Sequence, residues 1–185
     1  MTPVARVVLL GFMAAGKTAV GAELARRLGW EHLDVDREIA RRAGRSVAAI
    51  FAAEGEAGFR RREAEATAAL AGRGGVVLSP GGGWIAAPGR LESLGAGTLS
   101  VWLRVTPEEA VRRAAAEPGE RPLLAGPDPL AAVRALLAAR EPLYARADLH
   151  LSTAGRTPAQ LAAEIEHLVR ARGMATAPAA GPSGC

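Results

Sequence analysis

One cysteine in 185 residues, Cys185 at the very end, leaves no intrachain disulfide to hold this chain together. Stability has to come from a packed core, and a reducing compartment is expected. No signal-peptide pattern opens the chain, and no apolar run approaches the roughly 20 residues that a bilayer span needs. A cytoplasmic protein is therefore expected. Aromatics are scarce, with three Trp, three Phe and one Tyr, and none is interleaved with a basic run. A stacking surface for nucleic acid is thereby excluded, although the pI is near 10.4. That high value reflects arginine standing in for lysine, since the formal net charge is only +4. A basic pocket for an anionic small molecule accounts for it better.

Lysine is the scarcest charged residue. Of 23 basic side chains, one is lysine and the remaining 22 are arginine. The one lysine, Lys17, stands in Gly11-Phe12-Met13-Ala14-Ala15-Gly16-Lys17-Thr18, which is the spacing GxxxxGK[ST] of a phosphate-binding loop. Such a loop needs a compact ammonium that reaches into a nest of backbone N–H groups, which a guanidinium fork does less well. The flanks agree. Val4 to Leu10 is a buried-strand run, and Val20, Leu24 and Leu28 form a helical stripe. Strand, glycine loop and helix start together present unsatisfied donors to phosphate. Ala14, Ala15, Gly16, Lys17, Thr18 and Ala19 are the expected nucleotide-phosphate contacts.

Further along, strand and helix alternate. Glu31–Asp34 reads as a short strand. Arg37–Ala43 and Val47–Glu54 read as helices split by Gly44-Arg45-Ser46, with Ser46 as N-cap, and a charge-rich helix follows from Gly58 to about Leu70. Strands are expected at 75–79, 98–103 and 148–152, and helices from Thr106, over 130–144 and over 158–172. Residues 117–129 hold four prolines and two glycines and carry Arg121, the composition of a mobile lid. Residues 1–172 are expected to form one domain and 173–185 a disordered tail without charged side chains. Repeated βα units imply an α/β fold, a parallel sheet covered on both faces, with ligands at the carboxyl ends of its strands.

Phosphoryl transfer requires positioning and charge neutralisation. The Thr18 hydroxyl suits Mg²⁺, a hard cation that takes oxygen ligands. The strand ending at Ser79 lacks the aspartate that commonly completes such a site, and Asp34-Val35-Asp36 offers two carboxylates instead. In an extended segment residues two apart face the same way, so one carboxylate is expected near the metal and the other at the acceptor hydroxyl. Asp36 is also a candidate cap for the following helix. Arg60, Arg121 and Arg140 are candidate anion ligands. Gly81, Gly82 and Gly83 permit close backbone approach to a ligand. The three histidines show no metal-ligand spacing, and Trp30 and Trp102 read as core.

Taken in order, GFMAAGKT, the DVD at 34–36, GRSVAAIF at 44–51, FRRRE at 59–63, GGG at 81–83, RPLL at 121–124 and REPLY at 140–144 resemble the shikimate kinases, over roughly residues 4–169. The resemblance implies a three-layer P-loop kinase fold, with a five-stranded parallel sheet of order 2-3-1-4-5, helices on both faces and a mobile lid. It implies ATP-dependent phosphorylation of the shikimate 3-hydroxyl on the route to chorismate and the aromatic amino acids, with Mg²⁺ and with ATP as donor. By resemblance Asp36, Arg60, Gly81, Gly82, Gly83 and Arg140 hold the acceptor, and Asp36 stands at the reacting hydroxyl. Asp34 sits near the metal with Thr18, Lys17 and Arg121 serve the transferring phosphoryl group, and Arg113, Arg156 and Pro158 flank the adenine. A monomer is expected, with ATP and shikimate as its partners and neither nucleic acid nor membrane. Trp84 departs from the family pattern, in which a small residue is commoner, and is expected either to stack outward or to reshape the acceptor pocket. The competing readings are a P-loop kinase for another small hydroxy-acid such as gluconate, and a nucleotide-binding switch without turnover.

Overall fold

The computed structural model describes residues 2–69, 72–116, 124 and 126–174. Five parallel strands form one sheet in the order β2-β3-β1-β4-β5: β1 Arg6–Leu10, β2 Glu31–Asp34, β3 Val76–Ser79, β4 Thr98–Arg104 and β5 Leu149–Ser152. The register sets Asp34 opposite Ser79 and Val8 opposite Leu78. The strand ends next to the phosphate-binding loop therefore lie side by side. All five residues of central β1 are buried, and they alternate in destination. Val7 and Leu9 join one apolar cluster, while Val8 and Leu10 join another on the opposite face, as the period of 2 requires.

Helices α1 (Lys17–Leu28) and α7 (Pro158–Arg172) cover the first face, where Leu24, Ala25, Ile165 and Val169 pack on Val7, Val77 and Val101. The second face is covered by α2 (Val35–Ala43), α3 (Val47–Ala68) and α6 (Pro129–Tyr144), through Ile39, Ile50, Phe59 and Tyr144. Helix α5 (Pro107–Ala116) joins α6 in a small cluster of Phe12, Ala110 and Val133. Among the described residues no helix is long and apolar enough to cross a membrane.

Several expectations need correction. Helix α2 starts at Val35, so Asp34-Val35-Asp36 is not extended. Asp34 is the N-cap, its Oδ1 accepting from the Arg37 N–H at 3.1 Å, and Asp36 already lies in the first turn. The capping role considered for Asp36 thus belongs to Asp34. The two helices expected at 47–54 and 58–70 run into each other and meet at Gly55, whose φ of 66° and ψ of −174° break the helix locally. Ser46 caps the first of them as expected, accepting from Ala49 N–H. After the glycine triplet come a 3₁₀ turn at Trp84–Ala86 and a short helix α4, Arg90–Ser93, neither of them foreseen. Trp84 does not stack outward. It is fully buried among Val8, Ile39, Ile50 and Tyr144, where its apolar area serves the core. At the end of the described chain Val4 N–H donates to Gly173 O at 2.8 Å and Val4 bridges to Met174, so the first two residues of the expected tail are paired. Within the expected lid, residues 117–123 and 125, Arg121 among them, lie outside the described residues. Its far end is ordinary helix start, with Asp128 capping α6 by accepting from Ala131 N–H.

Candidate active site

The cleft above β1 and β3 has a volume near 600 Å³ and is lined by Met13, Ala14, Gly16 to Ala19, Asp34, Asp36, Ser79 and Gly81-Gly82, among others. The loop that forms its floor is sterically fixed. A Cβ on Gly11, at φ 148°, would come within 2.6 Å of the Leu103 carbonyl oxygen. Gly16 precedes α1 at φ 91° and has no side chain to cap it, so the first-turn amides are left without an N-cap side-chain partner. Ala14 holds φ 56°, a left-handed conformation that costs a non-glycine residue about 1–2 kcal/mol. The Lys17 ammonium folds back over the loop and donates to Gly11 O at 2.8 Å and Phe12 O at 2.9 Å. Thr18 Oγ1 donates to Asp34 Oδ2 at 2.7 Å. Lys17, Thr18 and Asp34 therefore converge, from α1 and the end of β2.

These oxygens suit magnesium. Among the described residues no group of three or more His, Cys, Asp or Glu could hold a metal by itself. A hydroxyl and a neighbouring carboxylate on a phosphate-binding loop match the way Mg²⁺ is held, with one or two protein oxygens and the rest from phosphate and water. Thr18 and Asp34 would supply the protein share.

Opposite the loop lies a second cluster. Asp36 is half-buried and its Oδ1, fully buried, has no hydrogen-bond partner. Burial, then the nearby carboxylates of Glu63 and Asp34, push its pKa up to about 6, against the pull of Lys17 and Arg60. A carboxyl held near neutrality and aimed into a cleft suits proton acceptance. The glycine triplet wraps around it. A Cβ on Gly81 would meet the Asp36 carboxylate at 3.1 and 3.2 Å, one on Gly82 would crowd the backbone of Gly11 to Met13, and one on Gly83 would land on the Arg60 guanidinium. Arg60 in turn donates to Glu63 at 2.6 Å and to Glu56 at 3.1 Å, and Arg90 holds the Arg60 carbonyl at 2.8 Å. From the other side the Arg140 guanidinium lies 5.9 Å from the Phe12 ring centroid and beside the Tyr144 hydroxyl. That hydroxyl donates to Gly82 O at 2.5 Å.

Glu63 and Tyr144 had no assigned role in the sequence reading. The Arg60–Glu63 spacing of three on a helix was the available signal for the first. Tyr144 could not be found from spacing, since it meets Gly82 across 62 positions of sequence. Arg113 and Arg156 meet at one turn. Arg113 reaches Thr153 O at 3.3 Å and Ala14 O at 3.4 Å, and Arg156 N–H donates to the same Thr153 carbonyl at 3.3 Å. The Arg156 side chain pairs with Glu164, and Pro158 follows as the exposed first residue of α7.

A phosphate-binding loop at the start of α1, under a parallel sheet of order 2-3-1-4-5 and facing a separate carboxylate–arginine cluster, defines a P-loop phosphotransferase with a small-molecule acceptor. A model described as shikimate kinase matches residues 13–170. Shikimate kinase of Symbiobacterium thermophilum is 46% identical over 169 residues, which is 90% of this chain and 97% of that protein. A solved shikimate kinase of Acinetobacter baumannii, in complex with shikimate, superposes with a TM-score of 0.84 at 37% identity, covering 91% of this chain and 94% of its own. A gluconokinase of Sinorhizobium meliloti, at 16% identity and a TM-score of 0.61, shares the fold alone. The chain belongs to the shikimate kinase family and is an ATP-dependent kinase.

Proposed function

We propose that this protein transfers the γ-phosphoryl group of ATP to the 3-hydroxyl of shikimate. The observation that carries this reading is the Asp36 carboxyl, whose buried Oδ1 has no partner, set against Gly81 in the cleft that the phosphate-binding loop also lines. Shikimate brings a carboxylate and several hydroxyls. Arg60 and Arg140 suit the former through guanidinium forks, while Asp36 orients the reacting hydroxyl and accepts its proton. Lys17 and the first-turn amides of α1 neutralise charge that develops on the transferring group. Magnesium held at Thr18 and Asp34 would supply charge neutralisation between the donor phosphates. Arg113 and the Arg156 backbone, which meet at Thr153, would flank the adenine with Pro158, and Arg121, outside the described residues, would contact the phosphates, both as the family resemblance implies.

An assay of ADP release with Mg-ATP and a panel of hydroxy-acids tests the reading. Turnover with shikimate and little with gluconate is expected. Rapid turnover of gluconate alone would overturn the assignment, and no turnover with any acceptor would favour the nucleotide-binding switch.

Arg60→Ala and Arg140→Ala are each expected to weaken acceptor binding more than ATP binding, by about 1.5–3 kcal/mol for a charge-assisted contact. Steady-state KM values for both substrates check this. An equal loss for ATP would move these arginines out of the acceptor site. Gly83 provides an independent handle, because its φ of −89° suits alanine while the added methyl displaces the Arg60 guanidinium. Gly83→Ala is expected to raise the acceptor KM about tenfold, the equivalent of roughly 1.4 kcal/mol, with the ATP KM unchanged.

A further inference from the structure

Gly21 lies inside α1, where glycine costs about 0.5–1 kcal/mol relative to alanine, and it is buried. Its backbone is ordinary helix, so no turn calls for it. The space beside it is what excludes a side chain. A Cβ there would lie 2.5 Å from Ser79 Oγ and 2.6 Å from His32 Nε2. His32 comes from β2 and Ser79 from the end of β3, and the two atoms are 3.0 Å apart. Ser79 Oγ also donates to the Lys17 carbonyl at 3.0 Å. A hydroxyl has one proton, and here it goes to that carbonyl, so His32 Nε2 must carry the proton shared with Ser79. The result is a directional chain from β2 through β3 to the first turn of α1.

That first turn lacks a side-chain cap, since Gly16 precedes it. Lys17 and Thr18 both project from it, and Ser79 lines the same cleft, at the strand end where a metal-binding aspartate is commoner. Small displacements of groups that act on a transition state are costly.

We propose that His32 is a positioning residue, which orients the Ser79 hydroxyl so that it fixes the first turn of α1, and that Gly21 provides the opening that admits the pair. The proposal deepens, and rests on, the reading of that turn as the nucleotide-phosphate site.

Three full-length variants test it. His32→Leu fills the space without a donor, His32→Gln returns an N–H near the imidazole Nε2, and Gly21→Ala drives Ser79 and His32 aside. His32→Leu is expected to lower kcat by about three- to tenfold, the range for one lost hydrogen bond, with the shikimate KM changed less than about twofold. Gly21→Ala should behave likewise, and His32→Gln should recover most of the loss. Amide exchange at residues 17–22, measured without ligand, should quicken in His32→Leu and Gly21→Ala and return to the wild-type rate in His32→Gln. If His32→Leu and His32→Gln lose thermal stability equally while kcat stays at the wild-type value, His32 is only packing and the proposal falls. Unchanged exchange at residues 17–22 in His32→Leu also overturns it. The exchange measurement needs no substrate, so it decides this proposal even if wild-type protein fails to phosphorylate shikimate.

Discussion

Lys17→Ala is expected to lower kcat by about 10³-fold or more while the protein stays folded, a loss at or beyond that from removing one preorganised oxyanion donor. The ammonium sits at the start of α1 and donates to Gly11 O and Phe12 O, so it is already placed over the loop before any phosphate arrives. Its charge meets the charge that grows on the transferring group, and the defect should fall on kcat more than on either KM. Two loop hydrogen bonds are also lost, and a modest fall in melting temperature should accompany the kinetic defect. Lys17→Arg should not restore turnover. A planar fork cannot occupy the nest as a point charge does, which agrees with a chain that uses arginine at its other 22 basic positions. Near-normal turnover in Lys17→Ala would remove the loop from the reaction.

The phosphate side of the site was legible because its parts are contiguous. Strand, loop and helix start follow one another over residues 4–28, and the structure joins them in that order. Sheet order and acceptor cluster were not local in this sense. Asp36, Arg60, Gly83 and Arg140 come from α2, α3, the loop after β3 and α6, so only the resemblance to a family grouped them before the fold did. The Asp34–Asp36 pair shows how spacing misleads. Alternation in a strand and the first turn of a helix were both compatible with DVD, and the Asp34 cap decided for helix. Trp84 shows the opposite failing. Beside a glycine triplet it reads as stacked outward or as reshaping the acceptor pocket, but in the 3₁₀ turn that it begins it is buried in the core. The chain from His32 to Ser79 to Lys17 spans 47 and 62 positions and leaves no trace in sequence beyond a glycine inside a helix.

Asp36→Asn is expected to lower turnover by about 10²–10⁴-fold, the usual contribution of general acid–base catalysis, and at the same time to stabilise the protein. Shape and position are conserved, while the group that accepts the hydroxyl proton is lost. Stability moves the other way because burial and the Glu63 and Asp34 carboxylates raise the folded-state pKa from 3.8 to about 6. Below pH 3.8 Asp36 is protonated whether the chain is folded or not, and it costs nothing. Between 3.8 and about 6 the folded chain binds more protons than the unfolded one, so stability falls as pH rises. Above that window the full cost of the buried charge remains, up to about 3 kcal/mol. Asparagine carries no such cost. In urea melts without ligand the variant should be more stable than wild type at pH 8, and the difference should vanish below pH 3.8. The wild-type kcat/KM for the acceptor should fall on the acid side as Asp36 becomes protonated. Glu63→Gln removes one of the negative neighbours and should move that fall to lower pH. Asp34→Asn should instead raise the magnesium concentration needed for half-maximal rate, because Asp34 faces Thr18 Oγ1 rather than the glycine triplet. If Asp36→Asn kept most activity and Asp34→Asn lost nearly all, the two carboxylates would have the opposite roles. A variant no more stable than wild type at pH 8 would mean that Asp36 is ionised at no cost, which its unpartnered Oδ1 argues against.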